Sequence, residues 1–329
     1  MTRAGIHQIT LPIPFPLQTV HVYLVEAGSG WIMIDSGFPS IEAREQLESE
    51  VTRLIGGMES LSAVIISHFH PDHSGLAGWI QSKRDVPVYI HAKDNERLSM
   101  MRQAMDGSGE GPPGMPGGAS SGPFAALPQG GIPDWERMRE ERDEFSQYEV
   151  SPTLVQESGE ATIDGRPLEF VWTPGHTEGH VCVYDRGEDL LFTGDHLLSR
   201  ITPHIGMWAP GMRDAGEENP LIEFERSCRL VEELNPGYAL PAHEADVDHP
   251  AERSVEIREH HQERRREMLE AVEGGARTGY AISRIVFAKR TEPMQQYMAL
   301  SETLAHLEAL VVEGALSASE DEDAIYAVT

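Results

Sequence analysis

Three histidines and an aspartate stand within six residues of one another, at His68, His70, Asp72 and His73. An apolar, strand-like run precedes them and a helix-like segment follows. In an extended segment alternate side chains share a face, so His68 and His70 are expected to point the same way. Burying so many polar groups without partners is costly, whereas a metal ion takes up nitrogen and oxygen lone pairs directly. The segment therefore predicts a metal site rather than a solvated, histidine-rich loop.

Three more polar residues follow apolar runs in the same manner. His176 comes after the run 168–172, Asp195 after the run 189–193, and His243 after another strand-like run. Each of the three stands close to a glycine or a proline, where a strand is expected to end. Since α/β enzymes build their sites at strand ends along one edge of a sheet, we expect these residues to join the first cluster.

The candidate ligands are more numerous than one ion uses. A catalytic metal typically has three protein ligands and one open position, so seven candidates predict two ions. The expected cofactors are two Zn²⁺, with iron or manganese as alternatives. We expect one ion on His68, His70 and His176, the second ion on Asp72, His73 and His243, and Asp195 as a bridge between them.

The surrounding segments must position these residues. Alternating strand and helix signals up to about residue 105 predict an α/β sheet. Asp94 is predicted to cap a helix that reaches Met105. Strand signals return at Thr153 and continue to His243, with a predicted hairpin around Arg186-Gly187.

Residues 106–133 interrupt this order. Nine of these 28 residues are glycine and six are proline, a composition that no packed element has. Long loops of this kind are either functional lids or surface inserts, and the sequence leaves both interpretations open. The following residues, Trp135 to Tyr148, are predicted to form a charged helix.

Composition limits the partners. The chain has 329 residues and a formal net charge of −28, from 54 acidic and 26 basic residues. A surface this acidic repels nucleic acid phosphates and anionic membranes, so a small-molecule substrate is the expected partner. No apolar run reaches the length of a membrane helix, and the first residues lack the apolar core of a signal peptide. We expect a cytoplasmic protein, and a homodimer remains an open alternative.

The C-terminal part differs in composition from about Pro250 onward. Helices are predicted at 252–272, 279–287 and 295–313, followed by a short strand. The run Arg264-Arg265-Arg266 is flanked by glutamates, which favours ion pairs over nucleic acid binding. His260 and His261 lie on the same charged helix and are expected to be solvated, and His306 is expected to be an ordinary core or surface residue.

The motifs resemble those of the metallo-β-lactamase superfamily. The resemblance covers about residues 6–250 and rests on the segment His68–His73, on Gly175-His176-Thr177, on Gly194-Asp195 and on Pro241-Ala242-His243. It implies an α/β fold, a four-layer αβ/βα sandwich of two mixed β-sheets, with the metals at one edge. Residues 251–329 resemble the small, mainly helical, winged-helix-like domain of one branch. The predicted domains are therefore 1–250 and 251–329.

The resemblance also bears on the reaction. True lactamases of this fold lack an aspartate at the place of Asp195, so its presence favours the glyoxalase II, lactonase and related hydrolase branches. A dioxygenase branch with a single iron shares these ligands and stays open. We predict a zinc-dependent hydrolase in which a metal-bridging hydroxide attacks the carbonyl of a thioester, lactone or ester. Asp72 is predicted to orient the water or shuttle a proton. The alternative is a metal-dependent phosphodiesterase or endoribonuclease with the same site.

Overall fold

A computed structural model describes residues 5–107, 124, 127, 145, 148–207, 218–321 and 323–329 of the chain. Most of the glycine- and proline-rich segment 106–133 and of the predicted helix at 135–148 lies outside the described residues. The two interpretations of the segment therefore stay open, and the helix stays a prediction. Among the described helices, none is both long and apolar enough to cross a lipid bilayer. Cys182 and Cys228 are buried thiols.

The chain forms two compact units. The first unit contains 1–99, 136–203 and 230–253, and the second contains 100–135, 204–229 and 254–329. Each unit is assembled from separate stretches of sequence, whereas the predicted domains are continuous. The predicted boundary near residue 250 stays a prediction.

The first sheet has six strands and is mixed. Its first three strands pair antiparallel, and the pairs from the third strand to the sixth are parallel. Parallel neighbours end at the same edge, so the residues that follow the third and fourth strands are brought together. In spatial order the strands are β1 (Ile6–Pro12), β2 (Thr19–Glu26), β3 (Trp31–Ile34), β4 (Leu61–Ile65), β5 (Val88–His91) and β6 (Pro152–Val155).

The second sheet has five strands and is also mixed. The tenth and eleventh strands, at one edge of the sheet, pair parallel, and the other neighbours pair antiparallel. The predicted hairpin around Arg186-Gly187 is confirmed, since the two strands on either side of it pair antiparallel. In spatial order the strands are β11 (Tyr238–Pro241), β10 (Leu190–Gly194), β9 (Val181–Asp185), β8 (Arg166–Trp172) and β7 (Gly159–Ile163).

Helices follow the strands as the alternation of signals predicts. The first helix shows why its ends fall where they do: the Ser40 side chain accepts a hydrogen bond from the backbone of Ala43, and Gly56 ends the helix in a left-handed conformation. The described helices are α1 (Ile41–Ile55), α2 (Pro71–Ser74), α3 (Ala77–Lys83), α4 (Ala92–Gly107), α5 (Pro220–Leu234), α6 (Pro250–Glu273), α7 (Gly279–Val286) and α8 (Pro293–Val312).

The first unit has two apolar layers, one on each face of the six-stranded sheet. On one face, side chains such as Leu47 of α1 pack against the sheet. On the other face, residues such as Ile65 of β4 and Phe192 of β10 share one core, which joins the two sheets. The predicted α/β sandwich of two mixed sheets is confirmed.

The second unit contains α7, α8 and a two-stranded hairpin, β12 (Leu316–Ala318) and β13 (Tyr326–Val328). Met268, Ile282 and Leu310 lie in its apolar core. The three predicted helices and the last strand are present, and β12 is an additional strand. The winged-helix-like arrangement predicted for this part stays a prediction.

One expectation for this part of the chain is wrong. His261 is not solvated: its side chain is fully buried, whereas its neighbour His260 is exposed. Along α6 the buried positions recur every three or four residues, which is the spacing of one helix face. That face carries polar as well as apolar residues, namely Ser254, Ile257, His261, Arg265, Met268 and Val272. Because this face mixes polar and apolar residues, the sequence alone does not indicate that it is buried.

Candidate metal centre

Strand ends from both sheets supply the site. The segment that holds His68, His70, Asp72 and His73 follows β4, and its last part forms the short helix α2. In the second sheet β8, β10 and β11 run in the same direction, since β9 is antiparallel to both β8 and β10 and β11 is parallel to β10. Their carboxyl ends therefore lie at a common edge, and they are followed by His176, Asp195 and His243, respectively.

Three imidazoles converge in the first group. His70 Nδ1 lies 3.0 Å from His68 Nε2 and 3.0 Å from His176 Nε2. Two ligands of a tetrahedral zinc ion, each about 2.0–2.1 Å from the metal, are about 3.3 Å apart, so this spacing is close to that of a shared ion. Asp195 completes the group, and one ligand atom from each of the four residues lies within 4.8 Å of the others.

The second group combines carboxylates with imidazoles. Asp72 Oδ2 lies 3.4 Å from His243 Nε2 and 3.6 Å from His73 Nε2. Asp195 reaches both groups, because its Oδ2 lies 3.5 Å from His176 Nε2 while its Oδ1 lies 3.3 Å from His243 Nε2. The structure thus brings all seven predicted ligands together, and the sharing of Asp195 between the groups matches the prediction. Their role as ligands stays a prediction.

Three buried polar atoms in this site have no hydrogen-bond partner among the described residues: His73 Nε2, His243 Nε2 and Asp195 Oδ1. The carboxylate oxygen lies 3.5 Å from the first nitrogen and 3.3 Å from the second. Buried polar atoms are normally hydrogen-bonded, and a group of facing unsatisfied atoms is a typical metal site. The donor set of imidazole nitrogens and carboxylate oxygens fits a divalent transition metal.

Burial and neighbouring charges shift the pKa values of His68 and His70 in one direction and that of His73 in the other. Burial, together with the adjacent imidazoles, lowers the pKa of His68 well below its usual value and that of His70 to about 3. Burial also opposes a charge on His73, but the carboxylates of Asp72 and Asp195 outweigh it and raise its pKa. His68 and His70 therefore offer neutral imidazoles with available lone pairs, and the second group concentrates negative charge that favours a cation.

Asp35 supports this site and was missed as a functional residue, because the sequence indicates only a turn after β3. Its carboxylate accepts hydrogen bonds from His73 Nδ1 at 2.8 Å, from the Ser67 backbone at 2.7 Å and from the Ser67 hydroxyl at 2.8 Å. With Nδ1 donating to Asp35, the Nε2 lone pair of His73 faces the site. The available signal was the position of Asp35 at the end of a strand parallel to β4.

Asp94 has a different role from the predicted one. The helix α4 begins at Ala92, and the Asp94 carboxylate does not serve as its cap but joins two loops of the site. It accepts hydrogen bonds from the backbone of Phe69 at 2.8 Å, from the Thr177 hydroxyl at 2.8 Å and from the backbone of Gly179 at 2.6 Å. The buried carboxylate therefore holds the loop that carries His176 against the segment His68–His73.

Gly194 allows the strand ends to approach closely. It has a φ of +48°, and a Cβ atom there would lie 2.8 Å from His180 Nε2 and from the Ser67 side chain. His180 Nε2 accepts a hydrogen bond of 3.2 Å from the backbone of Asp195. On the next strand, His243 Nδ1 lies 2.7 Å from the Thr19 carbonyl, so Nε2 faces the site. These contacts fix where Asp195 and His243 point.

Comparison with known proteins agrees with this geometry. Residues 16–243 match the family model described as the metallo-beta-lactamase superfamily, and residues 266–327 match the model described as the metallo-beta-lactamase-like C-terminal domain. The first match covers more than half of the chain and contains all seven predicted ligands. The second match falls in the C-terminal part of the chain.

Among curated proteins, the chain is 25% identical to the probable metallo-hydrolase YqjP of Bacillus subtilis, over 99% of this chain and 98% of that protein. It is 24% identical to the atrochrysone carboxyl ACP thioesterase dmxR1 of Cryptosporiopsis, over 63% of this chain and 48% of that protein. The crystal structure of a metallo-beta-lactamase family protein from Thermus thermophilus superimposes with a TM-score of 0.78 at 26% identity, covering 99% of both chains.

Asp35→Asn is expected to weaken zinc binding by about 10- to 100-fold, because the amide cannot accept all the hydrogen bonds that fix His73. Zinc affinity should be measured by competition with a chelator of known affinity. Asp85→Asn, the same change at an exposed aspartate, is the matched control. Equal zinc affinity in the two variants would show that Asp35 does not position a ligand.

Asp94→Asn is expected to destabilise the fold by about 1–3 kcal/mol, because an amide nitrogen would face buried donors. Urea unfolding with and without zinc measures the free energy of unfolding. Asp248→Asn, at an exposed position, is the control. A variant as stable as this control would contradict a role for Asp94 in joining the two loops.

Proposed function

The chain is a metallo-hydrolase that belongs to the metallo-beta-lactamase superfamily, and we propose that it hydrolyses small acyl compounds with two zinc ions. Thioesters and lactones are the favoured substrates. The observation that carries the proposal is the position of Asp195, whose two carboxylate oxygens face different ligand groups. A carboxylate placed between two sets of ligands is suited to bridging two ions.

The two ions would be held by separate sets of side chains. The first set is His68 Nε2, His70 Nδ1 and His176 Nε2, whose close contacts of 3.0 Å support a single shared ion. The second set is Asp72, His73 Nε2 and His243 Nε2. Each set provides three protein ligands besides Asp195, the number that a catalytic zinc site typically has.

When bound, such ions supply an activated water and a Lewis acid for the substrate carbonyl. The chain itself would orient the reactants. Asp72 retains a side-chain exposure of 13%, so solvent reaches a carboxylate that lies among the ligands. Asp72 would thus be able to orient a water molecule and hold its proton, since the imidazole lone pairs are committed to binding.

Charge supports an acyl substrate over a phosphodiester. Two dications facing the two carboxylates Asp72 and Asp195 leave an excess of positive charge, which stabilises a transition state with a developing oxyanion. A net charge of −28 on the chain opposes the approach of a polyanion such as RNA. The similarity to a protein named as an acyl-carrier-protein thioesterase adds support for a thioester.

Asp195→Ala is expected to remove one zinc equivalent and to lower kcat/KM by at least about 100-fold, because both ions would lose a ligand. Metal content after gel filtration is measured by inductively coupled plasma mass spectrometry, together with turnover. Asp85→Ala is the control for a removed aspartate. Full turnover by Asp195→Ala protein holding a single ion would refute the dinuclear mechanism.

A substrate panel is expected to give turnover of an acyl-glutathione thioester or an acyl-homoserine lactone well above that of nitrocefin, bis-p-nitrophenyl phosphate or short single-stranded RNA. The Asp195→Ala protein serves as the blank for contaminating enzymes. Turnover of RNA alone would replace the acyl proposal by the nuclease alternative. A protein that holds one iron and consumes oxygen would exclude both.

A further inference from the structure

A second cluster of metal-binding side chains lies in the second unit. One ligand atom from each of His261, Glu302 and His306 lies within 4.8 Å of the other two. Both imidazoles are fully buried, and Glu302 is partly buried. Neither the proposed hydrolysis nor the ligand set of the first unit uses these residues.

The spacing of the two imidazoles matches a shared ion. His261 Nδ1 lies 3.2 Å from His306 Nε2, close to the separation of about 3.3 Å between two nitrogen ligands of tetrahedral zinc. His306 Nδ1 lies 2.8 Å from the carbonyl oxygen of Glu302. A carbonyl only accepts, so Nδ1 carries the proton and Nε2 presents its lone pair to His261. Metal-binding histidines are commonly oriented in this way by a backbone carbonyl.

The helices place the third ligand on the same side. Glu302 and His306 are four residues apart on α8 and therefore share a face of that helix. His261 comes from the buried face of α6. An ion held by all three residues would join α6 to α8, and its fourth position would be left for water.

The two arginines of α6 that follow His261 most closely have carboxylate partners. Arg264 forms an ion pair with Glu267, and Arg265 pairs with Glu225 at 2.8 Å and with Glu313 at 3.5 Å. Arg264 thus pairs within its helix, as the flanking glutamates predict, whereas Arg265 pairs with glutamates distant in the sequence. Because the arginines are compensated, they do not prevent a dication from binding beside a carboxylate.

Burial acts in opposite ways on the imidazole and the carboxylate, since it favours the neutral form of each. It lowers the pKa of His306 to about 3, which keeps that imidazole neutral, and it raises the pKa of Glu302 to about 7. A nearby dication would stabilise the ionised form of Glu302. His261 Nε2 is a buried nitrogen with no hydrogen-bond partner among the described residues. The cluster therefore holds more polar groups than the contact between His261 Nδ1 and His306 Nε2 uses.

We propose that His261, Glu302 and His306 bind a divalent transition-metal ion, with zinc the best match, as a structural link between α6 and α8. Two imidazoles and one carboxylate form a ligand set that zinc accepts, whereas magnesium and calcium prefer oxygen ligands. The site shares no residue with the seven ligands proposed for the first unit. The proposal therefore holds whether or not the first unit binds two ions.

The test is a zinc count on the full chain, stripped with a chelator, reloaded with Zn²⁺ alone and passed through gel filtration. Glu302→Gln keeps the size of the side chain and is expected to hold one zinc fewer than the wild type. His306→Gln should show the same loss. His260→Gln changes an exposed histidine beside His261 and is the matched control, expected to retain the wild-type count.

A stability measurement separates loss of metal from loss of fold. Zinc is expected to raise the Tm of Glu302→Gln protein less than that of His260→Gln protein. The circular dichroism spectrum without metal and the hydrolase turnover are expected to be the same in the two variants. Equal zinc counts in Glu302→Gln, His260→Gln and wild-type protein would overturn the proposal and leave the cluster as a hydrogen-bonded pair. The partly buried position of Glu302 makes its variant the one best able to fold.

Discussion

Burial of the Asp195 carboxylate is the constraint on which the first unit depends. A carboxylate removed from water requires positive charge or several donors, and here its surroundings are imidazoles from both sheets. The residue can reach both ligand groups only because β10 ends where β4 ends. The shared apolar core of the two sheets therefore does more than stabilise the fold: it sets the distance between the ligands that each group draws from the two sheets.

Residues next to the ligands fix the positions and orientations of the ligand side chains. Asp35 fixes the ring of His73, Asp94 joins the loops of His70 and His176, and the Thr19 carbonyl fixes the ring of His243. All of these groups are acceptors. For His73 and His243 the partner accepts from Nδ1, so the Nε2 lone pair of each ring is directed inward, which is the arrangement that a metal ion requires.

The ligands and most strands could be predicted from the sequence because their signals are local. His68, His176, Asp195 and His243 each follow an apolar run, and parallel strand ends meet at one edge by geometry alone. Asp35 and Asp94 could not be assigned in this way, because their partners lie 25 to 85 residues away in the sequence. His261 was misjudged for a related reason: a helix face with polar residues at buried positions has no clear apolar stripe.

The backbone conformation at Asp35 also restricts which residue types fit this position. Its φ of +59° lies in the left-handed region, which glycine, asparagine and aspartate tolerate far better than other residues do. Glycine would meet the backbone requirement without the carboxylate, and glutamate would keep the carboxylate at the cost of backbone strain. Aspartate alone meets both, so this position has almost no neutral substitutions. The turn that ends β3 is thus expected to tolerate few substitutions, even though Asp35 acts on the site only through its contacts with His73 and Ser67.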